Sequence, residues 1–231
     1  MRKLLIGAAT ALTAIGSAHA GALTVLDFEG EAAGTIIDNE FAPFVTITTV
    51  SNGDNNAAVI FDTNNPTGND DDQGAPFDPA DGMGGQLSPG NVLVISEDAR
   101  GITCNGVTCS EPDDEGEGGT IAFNFAEVVT FQGFDVFDVS DGGVSFSVDL
   151  FDINDMLITS ILAPSGIGDN EFLSFIDLNI AGVIRAVFNF GGSGAIDNIA
   201  FETSEVPLPA ALPLMLMGLG GLGFASRRRK G

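Results

Sequence analysis

The hydrophobic residues of this chain alternate with polar ones over short stretches, the period of a β-strand with one buried face. In residues 120–125, Ile121, Phe123 and Phe125 fall on one face. In residues 144–150, Val, Phe, Val and Leu alternate with Ser, Ser and Asp. Similar runs predict nine further strands, at residues 23–28, 44–50, 57–61, 91–96, 129–136, 156–162, 172–178, 183–190 and 195–201.

The segments between these runs are rich in turn-forming residues, and none carries a sustained helical period. Examples are Asp-Gly-Gly at 141–143, Gly-Asp-Asn at 168–170 and Gly-Gly-Ser-Gly at 191–194. Short strands without crossover helices are typical of antiparallel folds. The pattern therefore predicts an all-β domain, an antiparallel two-sheet sandwich of jelly-roll type, over residues 21–205.

Both ends of the chain depart from this pattern. The N-terminus has two basic residues, an apolar run and then Ala18-His19-Ala20. A basic start, an apolar middle and a small-x-small site are the parts of a secretory signal peptide. We expect residues 1–20 to direct the chain to the secretion machinery and the mature protein to begin at Gly21.

The C-terminal stretch, residues 206–231, begins with Val206, Pro207, Leu208, Pro209 and Ala210. The 17 residues of 210–226 carry no charge, and Arg227, Arg228, Arg229 and Lys230 follow them. An uncharged run of this length is at the lower limit for a membrane-spanning helix. Because basic residues beside a span stay on the cytoplasmic side, the domain before Val206 should lie outside.

The order of these parts resembles the PEP-CTERM class of protein-sorting tails, in its VPLPA variant. That resemblance implies recognition by an exosortase and removal of the tail. It also implies an inner-membrane intermediate in a Gram-negative bacterium and a product that is released or held at the cell surface.

The composition of residues 21–205 excludes several kinds of chemistry. This region holds all 32 acidic residues but only Arg100 and Arg185 among the basic ones, a balance of 2 − 32 = −30. So acidic a domain repels nucleic acid and anionic membranes. It contains no His, Lys, Tyr or Trp, which rules out Ser-His and Cys-His nucleophiles, Schiff-base lysines and His-ligated zinc. We expect a non-enzymatic protein, with a carboxylate-driven glycoside hydrolase as a remote alternative.

The two cysteines, Cys104 and Cys109, enclose Asn105-Gly106. In an exported protein, so close a pair predicts a disulfide that closes a hairpin, and Asn-Gly favours a type I′ turn. A redox or metal site is the alternative.

The acidic segment 51–91 is long for a loop within a sandwich. Its carboxylates Asp62, Asp70 and Asp72 are candidate ligands for Ca²⁺, which takes about six to eight oxygens in flexible geometry. The EF-hand spacing is not met, because Pro66 falls at a ligand position and no Glu closes the loop. The sequence leaves a disordered acidic loop and a calcium-ordered loop equally open.

A second candidate site joins the two ends of the domain, at Asp27-Phe28-Glu29 and Asp197-Asn198. This pairing resembles jelly rolls of the carbohydrate-binding-module type, in which a Phe-Glu near the first strand and an Asp in the last strand hold a structural calcium. The resemblance implies Glu29 and Asp197 as the ligands. Without Trp or Tyr the chain lacks the usual sugar platform, and Asp197 could alternatively cap a turn.

The chain from 61 to 198 also resembles domains that commonly precede this kind of sorting tail, which brings no activity with it. We therefore expect an exported, calcium-stabilised protein of the cell surface or extracellular matrix. A carbohydrate-binding module for extracellular polysaccharide is the alternative.

Overall fold

The computed structural model describes residues 21–53, 57–68, 73–97, 104–139, 145–164 and 167–203. Ala22–Ser204 form one compact unit. The regular structure in the described ranges is β-strand, which confirms the all-β prediction. The strands are β1 (Leu23–Leu26), β2 (Val45–Ser51), β3 (Ala58–Asp62), β4 (Asp78–Pro79), β5 (Asn91–Ile95), β6 (Gly119–Phe137), β7 (Phe146–Phe151), β8 (Leu157–Leu162), β9 (Glu171–Phe175), β10 (Ile180–Phe190) and β11 (Ala195–Thr203).

The predicted signal peptide at 1–20 and the predicted tail at 206–231 lie outside the described residues. Within the ranges that are described, no helix has the length and apolar character needed to cross a bilayer.

Strand β6 is central to the fold because both halves of the sheet share it. Its first part pairs with β2 on one side and β10 on the other, and its last part pairs with β11 and β9. We call the half with β2, β10, β7 and β8 sheet I, and the half with β1, β3, β5, β11, β9 and β4 sheet II. The pairings are antiparallel except for β4 with β9.

Residues 120–125 and 129–136, predicted as two strands, are one strand in the structure. The three residues between them, Ala126, Glu127 and Val128, are exposed. Here β6 passes from sheet I to sheet II, so both of its faces are outside the core. The corner breaks the alternation in the sequence without breaking the strand.

The main core lies between the two sheets and is dominated by phenylalanine. Phe125 of sheet I and Phe201 of sheet II meet with ring centroids 4.9 Å apart, and Phe123 contacts Phe188 edge-on at 5.2 Å. Truncating such a ring to Ala costs about 3–5 kcal/mol of stability. The inward residues predicted on 120–125 are buried as expected, as are Phe146, Val148 and Leu150.

A second apolar cluster covers part of the outer face of sheet II. It contains Ala57, Val59, Phe61, Phe77, Val92, Val94, Cys109, Phe137 and Ala195. Strands β3 and β5 are consequently buried on both faces. The segment between them supplies Phe77, which is fully buried and meets Phe137 edge-on at 4.9 Å. The described part of this acidic segment is therefore anchored by apolar packing, which neither sequence alternative included.

The disulfide between Cys104 and Cys109 is formed, as predicted. The turn differs from the prediction: the central residues are Gly106 and Val107, and Asn105 donates its N–H to the Thr108 carbonyl at 3.0 Å. Of the two central residues only Gly106 has a positive φ, 88°, which is the arrangement of a type II′ turn. The side chain of Asn105 accepts from the N–H groups of Val107 and Thr108, so it supports the turn from outside.

Candidate functional site

Asp197 lies within β11, so the alternative that it caps a turn is wrong. It stands opposite Asp135 of β6, and the register of the two strands shifts directly after this pair. On the other side of β11, strand β1 ends with Leu26 opposite Ile199. Phe28, two residues after Leu26, and Asn198, directly after Asp197, have left-handed backbones with φ of 55° and 52°. The backbone is thus irregular on both sides of Asp197.

The carboxyl group of Asp197 is enclosed by protein. Only 2% of the residue is exposed, and its Oδ1 atom has no hydrogen-bond partner in the described structure. Burial raises the pKa of Asp197 to about 8, against the effect of a hydrogen bond from the backbone of Asn198. The negative charges of Asp135, Glu29 and Asp27 add to the rise. A buried, unpaired carboxylate is costly, so this group needs a proton or a cation.

Glu29 is held in place from the loop before β5. Its Oε1 accepts the N–H of Asn91 at 2.8 Å, and Asn91 also donates its side-chain amide to the Glu31 carbonyl at 2.8 Å. The carboxylate lies against Gly90, where a Cβ atom would be 2.4 Å from Oε1. Gly90 has a φ of 84° and no side chain, which leaves room for Glu29. Glu29, three residues after β1, and Asp197 of β11 are close enough for their charges to interact.

These oxygens match the donor chemistry of a hard cation. Ca²⁺ accepts carboxylate, backbone carbonyl and water oxygens together. Among the described residues, no three acidic, His or Cys side chains lie close enough to hold a metal jointly. The assignment of Asp197 and Glu29 as ligands stays a prediction from the family resemblance, and a cation held by this pair would need backbone and water oxygens to complete its shell.

Of the other sequence-predicted ligands, Asp62 makes local contacts. Both carboxylate oxygens of Asp62 accept local hydrogen bonds, from the Asn64 N–H at 2.9 Å and the Asn65 side-chain amide at 2.7 Å. Asp70 and Asp72 lie outside the described residues, as does the sorting motif from Val206 to Arg229. The assignment of any of these residues to a metal stays a prediction.

Asp27 and Asp135 were missed by the sequence reasoning. Asp27 precedes Glu29 by two residues, and its Oδ1 accepts the Glu29 N–H at 3.3 Å. This proximity was visible in the sequence. Asp135 is brought beside Asp197 only by the pairing of β6 with β11, which the sequence does not encode locally.

Another buried carboxylate, that of Asp114, connects segments that are distant in the sequence. Its Oδ2 accepts hydrogen bonds from the Gln73 side chain at 3.0 Å and from the Ser193 hydroxyl and the Gly194 N–H, both at 2.5 Å. Only 5% of Asp114 is exposed. It connects the acidic segment to the turn before β11, so its role is structural.

A groove of about 460 Å³ lies on the outer face of sheet II beside Asp135. Strands β1, β6 and β11 and the segment after β9 form its walls. Asn198, which donates its amide to Asp135 Oδ2 at 2.8 Å, lines the groove as well. Asp135, which stands opposite Asp197 of the candidate cation site, and Asn198, which follows Asp197, therefore both line the groove.

Solved structures resemble this domain only distantly. A fucose-binding module of Streptococcus pneumoniae is 13% identical, with a TM-score of 0.28 over 40% of this chain and 68% of its own. The lectin-binding domain of lectinolysin, solved with Lewis b, is 11% identical, with a TM-score of 0.28 over 40% and 69%. An adhesin domain of Lys-gingipain is 11% identical, with a TM-score of 0.39 over 79% and 98%. No curated protein matches the chain at a significant level.

The C-terminal stretch gives a specific match. Residues 205–230 fit the family model of the PEP-CTERM protein-sorting motif. The motif implies export, anchoring in the membrane before processing, and processing by an exosortase. The resemblance to the PEP-CTERM class, drawn from the Pro-rich motif, the apolar run and the arginines, is confirmed, whereas the VPLPA variant stays a prediction. The chain is a protein that carries the PEP-CTERM sorting motif.

Proposed function

We propose that residues 21–205 are a non-enzymatic domain of the cell surface or extracellular matrix, and that calcium held by Asp197 and Glu29 stabilises it. The observation that carries this proposal is the 98% buried carboxylate of Asp197, whose Oδ1 has no hydrogen-bond partner in the described structure and which lies among three other carboxylates. A buried negative charge in this arrangement destabilises the fold unless a cation is bound, and an exported protein meets calcium outside the cell.

Affinity supports the choice of calcium. Extracellular calcium modules bind with dissociation constants of roughly 10⁻⁴–10⁻³ M, and few charged ligands suffice for that strength. Glu29 is already oriented by Asn91 and Gly90, so binding costs little additional ordering. The cation would neutralise charge where the first and last strands meet, and so connect the two ends of the domain.

Composition supports a role other than catalysis. With no His, Lys or Tyr between residues 21 and 205, carboxylates would have to supply all acid and base chemistry. In the described structure Asp197, whose pKa is raised, is buried in the sheet rather than open to a substrate.

Thermal unfolding of the full chain in mild detergent tests the calcium proposal, with excess chelator and then with millimolar calcium. A cation at about 100 times its dissociation constant adds about 2.7 kcal/mol. For a domain of this size that raises the unfolding midpoint by roughly 5–10 °C. Sodium at equal ionic strength should not reproduce the rise.

Two variants locate the effect. Asp197→Asn keeps the shape of the side chain but removes the ligand charge, and should abolish the calcium-dependent rise. Glu127→Gln removes a charge at the exposed corner of β6 and should leave the rise intact. Equal midpoints in calcium and sodium for the parent chain would show that the domain holds no stabilising calcium.

A second candidate function is binding of extracellular polysaccharide. The groove on the outer face of sheet II favours it, because the groove offers a concave surface that is lined by both polar and apolar side chains. The domain would then attach matrix polymer to the surface of a Gram-negative cell, or to other copies of the released protein.

A further inference from the structure

The groove combines apolar surface with hydrogen-bonding groups. Leu23 and Val25 of β1 and Ile176 after β9 line it, and they are 59%, 44% and 73% exposed. Gln132, Asn179 and Asn198, which carry side-chain amides, line the same space. Large apolar side chains left in solvent beside amides are typical of a surface that receives a ligand.

The backbone around the groove is unusual. Of the seven non-glycine residues with positive φ in the described structure, three line the groove: Asp177 (55°), Asn179 (51°) and Asn198 (52°). Asn and Asp tolerate this conformation better than other residues, and such residues concentrate at binding sites. At these left-handed positions, short polar side chains take directions that a regular strand would not allow.

Gly133 determines the depth of the groove. A Cβ atom at this position would lie 2.2 Å from the carbonyl oxygen of Phe175. Its absence lets the segment after β9 lie close against β6 and leaves the floor free of a side chain. The ring of Phe175 stacks on that of Phe134 with centroids 4.6 Å apart, which makes this wall rigid.

The polar groups of the groove differ in what they can recognise. Amides donate and accept hydrogen bonds, and the carboxylates of Asp135, Asp177 and Glu202 accept them. Vicinal hydroxyl groups of a sugar both donate and accept hydrogen bonds, so they can pair with amides and carboxylates. The C–H face of a sugar ring can pack on aliphatic side chains. No Lys or Arg is among the described residues that line the groove.

We propose that this groove binds a neutral, hydroxyl-rich glycan chain. The inference rests on the second proposed function and specifies its ligand. Three carboxylates and no lining cation disfavour uronic-acid and sulfated polymers. A cationic ligand would be attracted by the carboxylates and is tested separately below. The amides both donate and accept, which suits hydroxyl groups, whereas an ammonium group can only donate.

Affinity electrophoresis and calorimetry of the full chain in mild detergent test this with four probes. Dextran and galactomannan are neutral, alginate is anionic and oligolysine is cationic. We expect saturable binding to at least one neutral polymer and none to alginate in the presence of chelator. The chelator prevents a calcium bridge between two anions from being taken for recognition.

Three variants locate the site. Ile176→Ser changes a 73% exposed side chain, and Asn198→Gly removes an amide while keeping a backbone that tolerates positive φ. Each should weaken neutral-glycan binding roughly five- to tenfold, the loss expected for one good contact. Ile153→Ser is the matched control, because Ile153 is 67% exposed in the turn between β7 and β8 of sheet I.

The outcomes separate this inference from the functions on which it builds. Binding of alginate alone would overturn the neutral ligand but keep polysaccharide binding. Oligolysine binding that Ile176→Ser weakens would assign the groove to cations. Neutral binding that only Ile153→Ser weakens would place the site elsewhere. Absence of binding to every probe would overturn both the inference and polysaccharide binding, and leave the calcium proposal standing.

Discussion

Asp135 and Asp197 stand directly opposite each other on antiparallel strands β6 and β11. Two carboxylates in this relationship repel each other, and the repulsion is strongest where water is excluded. Asp135 is satisfied in part by the amide of Asn198, at 2.8 Å from its Oδ2, whereas Asp197 Oδ1 has no such donor. The pair therefore carries an electrostatic cost that a proton or a cation can remove.

The first prediction concerns pH. Since the pKa of Asp197 is raised from 3.8 to about 8, the folded chain holds a proton between these values that the unfolded chain has lost. The resulting stability is complete below about pH 4 and is lost as the pH rises towards 8. In the presence of chelator, this group should lower the free energy of unfolding by up to about 1.4 kcal/mol per pH unit as the pH rises.

Asp197→Asn isolates that slope, because the remaining acidic groups also repel one another more strongly as the pH rises. The parent chain and the variant should differ most in slope between pH 5 and 8, as measured by denaturant unfolding. Parallel profiles of parent and variant would mean that Asp197 does not hold its proton in this range.

The second prediction concerns the hydrogen bonds that Asp114 accepts. Asp114→Ala removes the acceptor for Gln73, Ser193 and Gly194, and a buried hydrogen bond to a charged group contributes about 1.5–3 kcal/mol. We expect a loss of at least 2 kcal/mol in the free energy of unfolding, measured from the denaturant midpoint at unchanged slope. Glu127→Ala, at an exposed position, should change it by less than about 0.5 kcal/mol. An unchanged free energy of unfolding in Asp114→Ala would show that these hydrogen bonds do not stabilise the domain.

The third prediction concerns the disulfide. In the chain-entropy model, a bond that closes so short a loop stabilises the fold by about 2 kcal/mol. Cys109 also packs, 4% exposed, in the second apolar cluster. Replacing both cysteines with Ser should lower the unfolding midpoint by roughly 4–8 °C in calorimetry. An unchanged midpoint would mean that Phe77 and its neighbours hold the segment without the bond.

The fourth prediction concerns sorting. Pro207→Ala combined with Pro209→Ala should leave the tail uncleaved, because the resemblance assigns recognition to the Val206–Ala210 motif. Fractionation of cells should then find the chain in the membrane, whereas the parent is released or reaches the surface. Pro66→Ala, the same substitution at an exposed position in the domain, should be sorted normally. Normal processing of the double variant would show that the enzyme recognises another part of the tail.

Much of the fold was accessible from the sequence because it depends on local patterns. Alternation predicted the inward faces of the strands around Phe123 and Val148, and close spacing predicted the Cys104–Cys109 bond. The corner of β6 was missed, since exposed residues at a bend resemble a loop. The two-residue strand β4 carries too little pattern to be predicted.

The candidate site shows a similar division. Glu29 and Asp197 were paired from the sequence through a family resemblance, but the partners that define their energetics come from elsewhere in the chain. Asp135 reaches Asp197 through strand register, and Asn91 orients Glu29 from 62 residues away. Neither relationship has a local signature.

The sequence by itself determined the handling of this protein and its all-β character. Export signals, sorting motifs and strand alternation are contiguous, so they can be recognised without a fold. The tertiary structure alone decided that Asp197 is buried without a partner for Oδ1, that Phe77 anchors the acidic segment, and that amides from two strands and a loop line one groove. These properties depend on which distant segments pack together and exclude water, so they arise only when the sheet has folded.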